Sequence, residues 1–158
     1  MKKVELSNGG VAIIDDEFFD FINQYRWYKN SKGYAITMKT TALSERRQVF
    51  MQHLVLGFTP HDGLVVDHIN GVRLDNRKDN LRICTHAQNI MNGMGWKNRK
   101  SKYKGVYKRD GYDRWRVIIS GNGERQHIGD FSSEAEAAKA YNDAAKVLHG
   151  EYARLNVL

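Results

Sequence analysis

The sequence predicts an α+β fold in two parts, and three patterns carry that prediction. A short apolar strand ends at Asp67-His68, a polar turn follows, and a second strand after Asn80 leads into a helix that Thr85 opens. Further along, turn signals separate three strands. A long helix with apolar residues at helical spacing follows them. We therefore expect a strand-turn-strand-helix, and after it a three-stranded antiparallel sheet packed on one helix.

The first 60 residues are predicted to hold two or three short strands and a helix. Residues 11–14 form an apolar run, and Asp15-Asp16 after it is a cap for a short helix. Residues 34–38 alternate like a strand, and residues 49–56 indicate a strand followed by a helix.

The three strands after Tyr103 are defined by their turns. Asp110-Gly111 and Asn122-Gly123 supply the positive backbone angles that tight hairpins require. Ser133, three residues before Glu136, predicts a capping box, and His149-Gly150 predicts the end of the helix. Gly93-Met94-Gly95 and the charged run after it predict a linker, so we divide the chain into residues 1–92, a basic linker at 93–102, and residues 103–158.

Composition narrows the class of protein. Cys84 is the single cysteine, so the chain can form no internal disulfide and no multi-cysteine zinc site. No stretch approaches the length of a membrane span, and the N-terminus lacks the apolar run of a signal peptide. We therefore expect a cytoplasmic protein that does not bind membranes.

The positive charge is concentrated in one segment. Residues 96–126 hold ten Lys or Arg against three Asp or Glu, an excess equal to the +7 of the whole chain. Tyrosines and a tryptophan are interleaved with these cations. Such a basic, aromatic surface suits a nucleic-acid phosphate backbone, although a merely solvated charge run is the alternative.

The polar residues of the first pattern have the chemistry to hydrolyse a phosphodiester. That reaction needs a base for water and a cation that offsets the charge on the phosphate and the leaving oxygen. His68 can be the base, and Asp67 and Asn89 offer oxygen ligands that suit magnesium, or alternatively manganese, better than zinc. Because neighbouring strand residues point to opposite faces, Asp67-His68 must lie where the strand bends into the turn. Asn80 could accept the bond that fixes the second ring nitrogen.

These residues resemble a known family. Asp67-His68, Asn80 twelve residues after His68, and Asn89 nine residues later are similar to the HNH nucleases with the ββα-metal (His-Me finger) fold. The resemblance spans about residues 49–92, with a core at about 63–92. More narrowly, it points to the HNH homing endonucleases of phages and mobile introns in which asparagine replaces the final histidine.

The resemblance implies a role for each of these residues. His68 would be the general base, Asn80 would orient it, and Asp67 and Asn89 would hold the metal. The products would carry 5′-phosphate and 3′-hydroxyl ends. Other nearby side chains have two interpretations each. His86 either approaches the metal or is solvated. Three arginines either contact phosphates or are solvated, namely Arg73, Arg77 and Arg82.

Residues 102–156 resemble the Apetala-two/ethylene-response-factor type of DNA-binding domain, which also occurs in phage HNH endonucleases. The resemblance is carried by residues 101–106, Trp115, residues 127–131, residues 136–141 and residues 149–156. It implies that the sheet enters the major groove of double-stranded DNA, where every second strand residue can point at bases. Trp115 is either a core anchor or a base contact. The positions expected to contact DNA are Lys104, Tyr107, Arg109, Arg116, Arg125 and His127.

Together these features predict a metal-dependent DNA endonuclease of phage or mobile-element origin, acting in a bacterial host cell. A monomer would nick DNA, and a homodimer would be needed to cut both strands. One alternative is a non-catalytic, sequence-reading DNA-binding protein on an HNH scaffold. Another is a nuclease or binder of structured RNA, because a basic face with aromatic side chains also suits RNA.

Overall fold

The computed structural model describes residues 1–40, 44–94, 100–109, 111–121 and 123–158. The chain divides into two compact units, Met1–Cys84 and Thr85–Leu158. The predicted α+β class is confirmed, including a three-stranded antiparallel sheet packed on one helix in the second unit. Within the described ranges, no helix is long and apolar enough to cross a membrane.

The first unit is built from short strands and two short helices. A first antiparallel pair is followed by a short helix, a three-stranded sheet in the order β3-β4-β5, a second helix and a second strand pair. The elements are β1 (Lys2–Glu5), β2 (Val11–Ile14), α1 (Phe19–Ile22), β3 (Tyr28–Lys29), β4 (Ala35–Thr40), β5 (Arg46–Phe50), α2 (Met51–Leu56), β6 (Leu64–His68) and β7 (Leu81–Thr85).

One apolar core holds this unit together. Ile14, Ile22 and Met51 are fully buried in it, and Trp27 donates its indole N–H to the Ile22 carbonyl at 2.8 Å. Val66 of β6 belongs to the same core. The strand that ends at the Asp67-His68 pair is therefore anchored by packing.

The connection between β6 and β7 is fastened to β2. The Ile13 N–H donates to the Leu74 carbonyl at 2.8 Å, and the Asn76 N–H donates back to the Ile13 carbonyl at 2.7 Å. Asp15 takes the N-cap position of the 3₁₀ turn Asp16–Phe18 that precedes α1, as predicted, but its carboxylate makes no capping bond there and accepts from the Lys78 N–H at 2.8 Å. These bonds tie a polar connection to a buried strand.

The second unit begins with the helix predicted after Thr85. The strands form a meander in the order β10-β9-β8, and the long helix covers one face of it. The elements are α3 (His86–Asn92), β8 (Val106–Lys108), β9 (Trp115–Gly121), β10 (Glu124–Phe131) and α4 (Glu134–His149).

A small-residue face lets α4 lie close against the sheet. Ala138 and Ala145 are fully buried opposite Val106 and Val117. Gly105 is required at its position, because its φ is +75° and an added Cβ would lie 2.0 Å from a ring carbon of Tyr141. A glycine therefore sets how closely helix and sheet approach.

Some predicted local features differ from what is observed. Ser133 caps α4 by accepting from the Glu136 N–H at 3.0 Å, but the Glu136 carboxylate accepts from the Ser132 hydroxyl, so the predicted capping box is only half formed. The helix ends at His149-Gly150 as predicted. Asp110, Asn122 and residues 95–99 of the predicted linker lie outside the described residues.

Candidate functional site

Asp67 and His68 lie at the end of β6, where the chain turns into the connection. Both residues are buried, with exposed fractions of 5% and 4%. The Gly71 N–H donates to the His68 carbonyl at 2.8 Å, and the Ile69 N–H donates to the Asn80 carbonyl at 2.9 Å. Asp67 and His68 are thus the last two residues of β6 and the turn begins at Ile69, so the prediction that the pair lies in the bend itself is wrong by one residue.

The His68 ring has a polar partner on one nitrogen. Its Nε2 lies 3.3 Å from Asn76 Oδ1, and the Tyr34 ring packs beside it with centroids 5.8 Å apart. Burial lowers the pKa of His68, and this outweighs the bond to Asn76 and the charge of Asp67, which act in the opposite direction. The imidazole is therefore neutral at pH 7. With its proton on Nε2, shared with Asn76, the lone pair that can accept a proton is on Nδ1.

Asn76 was missed by the sequence analysis. It is fully buried, and its backbone is held by Ile13, so its side-chain oxygen is fixed beside the His68 ring. Its side-chain nitrogen is buried without a hydrogen-bond partner in the described structure. The one signal in the sequence is its position between β6 and β7. Asn70 and Asn80 lie in the same connection, so that signal does not single out Asn76.

Asn80 does not make the bond to His68 that the sequence suggested. Its Oδ1 accepts from the Asn70 N–H at 3.0 Å, and its Nδ2 donates to the Asp75 carbonyl at 2.7 Å. The reason is that Asn80 ends the 3₁₀ turn before β7, and its side chain folds back into the connection. It therefore braces the loop that carries Asn76.

Asp75 is a second residue that sequence reasoning missed. Its carboxylate accepts from Arg77 Nε at 2.8 Å and Nη2 at 2.7 Å, and from Asn70 Nδ2 at 2.8 Å. The hydrogen bonds from Arg77 hold the pKa of Asp75 below its ordinary value. One of the three arginines that the sequence left as either phosphate contacts or solvated side chains is thus tied to a carboxylate of the loop itself.

The other two arginines are also engaged within the unit. Arg82 Nε and Nη2 lie 3.0 and 2.9 Å from Asp67 Oδ2, and both side chains are mostly buried. Arg73 donates to the Lys32 carbonyl and lies 5.0 Å above the Tyr34 ring. The Arg82 pair puts a positive charge beside the expected metal ligand.

Asn89 lies on α3, which begins as predicted. Thr85 Oγ1 accepts from the Gln88 N–H at 3.2 Å, and Gln88 Oε1 accepts from the Thr85 N–H at 2.8 Å, a complete capping box. Asn89 is half-buried and His86 is exposed. Asn89 belongs to the second unit and Asp67 to the first, so their convergence stays a prediction.

The donor types fit a hard divalent cation with few protein ligands. Asp67 offers a carboxylate and Asn89 an amide oxygen, both preferred by magnesium and manganese. Among the described residues, no group of three His, Cys, Asp or Glu side chains could hold a metal. An ion held by these two donors would take its remaining ligands from water and phosphate oxygens.

Most of the predicted DNA-contact residues share the face of the sheet opposite the α4 core. Tyr107 is paired with Arg116 across β8 and β9, while Arg125 is opposite Ser120 and His127 is opposite Ile118 on β9 and β10. Directly opposed strand residues point to the same face. Because Val117 and Ile119 are buried beneath the sheet, the alternate residues of β9 face away from the core.

Lys104 is turned elsewhere, and Trp115 belongs to the core. The Lys104 Nζ donates to the Met91 carbonyl of α3, and its backbone is held by Asn156. Trp115 is half-buried against the α4 core, with Lys108 Nζ 4.7 Å from its ring. The core-anchor interpretation of Trp115 therefore holds.

Asp130 joins three of the predicted contact residues and was missed by the sequence analysis. Arg116, Arg109 and His127 all lie within hydrogen-bonding distance of its carboxylate. The hydrogen bond from Arg116, with further contributions from His127, lowers the pKa of Asp130 to about 2. The face thus carries an ionised acid among its cations.

Comparison with known proteins matches both parts of the chain. A family model described as HNH endonuclease matches residues 47–91. An uncharacterized HNH endonuclease of Acanthamoeba polyphaga mimivirus is 30% identical over 148 residues, which is 94% of this chain and 75% of that protein. Two Arabidopsis thaliana proteins match the C-terminal region over 65 residues, or 40% of this chain. Dehydration-responsive element-binding protein 2C is 42% identical over that region, which covers 19% of its own length. Putative dehydration-responsive element-binding protein 2H is 40% identical over that region, which covers 41% of its own length.

Proposed function

The chain belongs to the HNH endonuclease family, and from that premise we propose that it is a metal-dependent DNA endonuclease that leaves 5′-phosphate and 3′-hydroxyl ends. We assign cleavage to residues 1–92 and positioning on double-stranded DNA to residues 103–158, joined by the basic segment 93–102. The observation that best supports this is the buried His68 ring, whose Nε2 lies 3.3 Å from Asn76 Oδ1 and which follows Asp67 in the chain.

In this proposal His68 is the general base. Its Nδ1 takes a proton from water, the water oxygen bonds to phosphorus, and the bond from phosphorus to the 3′-oxygen breaks, with that oxygen taking a proton from solvent. Asn76 keeps the reactive tautomer, and Asn80 braces the loop that holds Asn76. Burial keeps the imidazole neutral, so it is ready to accept a proton at pH 7.

Asp67 and Asn89 are the ligands we propose for the cation, with magnesium first and manganese second. When bound, the cation offsets negative charge on the phosphate and on the leaving oxygen. Arg82 holds the Asp67 carboxylate through Oδ2, so the side chain that would bind the cation is already fixed by an ion pair. This ion pair limits the orientations that the carboxylate can adopt.

The second unit would supply affinity and register. Arg125, Arg116 and Arg109 offer cations to phosphates and bases, and Tyr107 adds an aromatic ring on the same face. The names of the two plant relatives, which refer to binding an element, agree with this assignment. Tethering a binding module to a cutting module raises the local concentration of DNA at the nuclease.

Plasmid nicking tests the proposal. Wild-type protein should convert supercoiled plasmid to nicked or linear form with magnesium or manganese and should be inactive in EDTA. His68→Ala should bind DNA like wild type but cut at least 100-fold more slowly. His61→Ala is the matched control, because this exposed histidine bonds only the Thr59 carbonyl among the described groups.

Two outcomes would favour the alternatives. Wild type and His68→Ala that bind duplex DNA equally and are both inert would favour the non-catalytic DNA-binding protein. Preference for structured RNA over duplex DNA, in competition at several salt concentrations, would favour the RNA alternative. Folded state should be checked by thermal unfolding, since His68 is buried.

A further inference from the structure

One carboxylate organises the cationic face of the second unit. Arg116 Nε and Nη2 lie 3.0 and 3.3 Å from the two carboxylate oxygens of Asp130. Arg109 Nη1 lies 3.3 Å from Oδ2, and His127 Nε2 lies 3.4 Å from Oδ1. Arg114 Nη2 donates to the Asp130 backbone carbonyl at 2.9 Å. Four cationic or ionisable side chains from β9, β10 and the turn between β8 and β9 thus converge on one residue.

The position of Asp130 shows that this cluster lies on the outward face. Asp130 is opposite Arg116 across β9 and β10, and Arg116 is opposite Tyr107 across β8 and β9. Directly opposed residues share a face, so these three form one row across the sheet. The Asp130 side chain keeps 20% of its surface exposed, and that of Arg116 keeps 37%. The cluster is therefore in reach of a ligand that lies on the sheet.

A carboxylate at this place weakens simple phosphate binding. Asp130 removes one net positive charge from the face and competes with phosphate for the same N–H donors. A face built only to grip the DNA backbone would gain from leaving Arg116 and Arg109 without an acid partner. The arrangement is suited to reading bases, because guanidinium groups held in one orientation meet base edges at defined places.

The contacts also leave donors for DNA. Arg116 uses two of its five N–H groups on Asp130, so three are left for a ligand. Its side-chain entropy is lost when the protein folds, and not when DNA binds. The carboxylate itself is an acceptor for the amino group of cytosine or adenine in the major groove.

Resting on the proposed role of this unit in binding DNA, we propose that Asp130 is a specificity-determining residue. Its carboxylate holds Arg116, Arg109 and His127 in place for base contacts and withholds them from the phosphates. Asp130 thereby lowers affinity for random duplex and raises the ratio of preferred to random binding.

The test compares preferred and random duplex DNA. The preferred sequence is selected from a randomised duplex pool with the full-length wild-type chain in EDTA. Dissociation constants on that sequence and on the pool are then measured at several salt concentrations. Asp130→Asn should bind the pool several-fold more tightly, with a salt slope steeper by about one because an arginine turns to phosphate. Its ratio of preferred to pool affinity should fall by about tenfold or more.

Two further variants separate charge, geometry and folding. Asp130→Glu keeps the charge but moves the carboxylate, so its ratio should fall without tighter binding to the pool. Asp143→Asn makes the same charge change on the exposed side of α4, where Asp143 pairs with Lys139 and Lys146 at 2.9 and 3.9 Å. Its ratio should equal that of wild type. Thermal unfolding shows whether each variant is folded. If Asp130→Asn is unfolded, the affinity ratio of Asp130→Glu tests the role of Asp130.

The outcomes are distinguishable. An Asp130→Asn ratio equal to that of wild type, or equal to that of Asp143→Asn, would overturn the role of Asp130. Wild-type binding that is tight but shows no preferred sequence would also overturn it. A wild-type chain that binds no duplex even at low salt would overturn the proposed function of this unit, and the role of Asp130 with it.

Discussion

Replacing Arg82 by methionine removes the partner of a buried carboxylate. Arg82 makes two charge-assisted hydrogen bonds to Asp67 Oδ2, and the two side chains are only 14% and 6% exposed. Removing one member of a buried ion pair costs about 3–5 kcal/mol, because the remaining charge loses its compensation. Since Arg82 keeps some contact with water, we expect the lower end, a loss of about 3 kcal/mol in the free energy of unfolding.

A double variant shows whether the loss of stability comes from the Asp67 charge without its arginine. Arg82→Met with Asp67→Asn removes both charges, and we expect it to be less destabilised than Arg82→Met alone. Arg47→Met is the matched control, because its pair with Glu45 is exposed, with side chains 69% and 54% accessible. That change should cost less than about 1 kcal/mol.

Urea unfolding followed by circular dichroism and tryptophan fluorescence measures all of these variants. An Arg82→Met protein within 0.5 kcal/mol of wild type, roughly the size of an ordinary surface substitution, would show that the buried ion pair contributes little to stability. A double variant that is less stable than Arg82→Met would contradict the expected cause, because the loss of stability could not then come from the Asp67 charge without its arginine.

Three further predictions concern the loop beside His68, the packing of α4 and the acid of the sheet. Asn76→Ala should slow plasmid cleavage by about 100-fold with unchanged affinity for DNA, because the imidazole loses its orientation; equal loss of cleavage and binding would contradict this. Gly105→Ala should destabilise the second unit by about 3 kcal/mol in urea unfolding, since it combines a positive φ with a steric overlap. The folded pKa of Asp130 is about 2, below its ordinary 3.8. The stability that the ionised Asp130 contributes should therefore be fully present above pH 4 and be lost as the pH falls towards 2. Asp130→Asn should lack that loss in acid unfolding profiles.

The connection between β6 and β7 shows which features can be predicted from the sequence and which cannot. The strand before Asp67-His68 and the helix after Thr85 follow from apolar runs and capping chemistry, which are properties of neighbouring residues. The choice between Asn76 and Asn80 as partner of His68 does not follow from them. Both are asparagines in the same turn, and the bond of the Asn76 N–H to Ile13 decides which one reaches the ring.

The ion pairs show the same difference between charges that are visible in the sequence and partners that are set by the fold. The excess of cations at residues 96–126 was visible as charge. Arg116 meets Asp130 through the register of β9 and β10, and Arg109 reaches the same carboxylate from the turn before β9. Arg82 meets Asp67 because β7 pairs with β6. The residue pattern alone was therefore enough to predict the family, the α+β class and the residues able to do chemistry. Which of those residues are partners became clear from the folded chain, because hydrogen bonds and ion pairs depend on distances in space that spacing along the chain does not define.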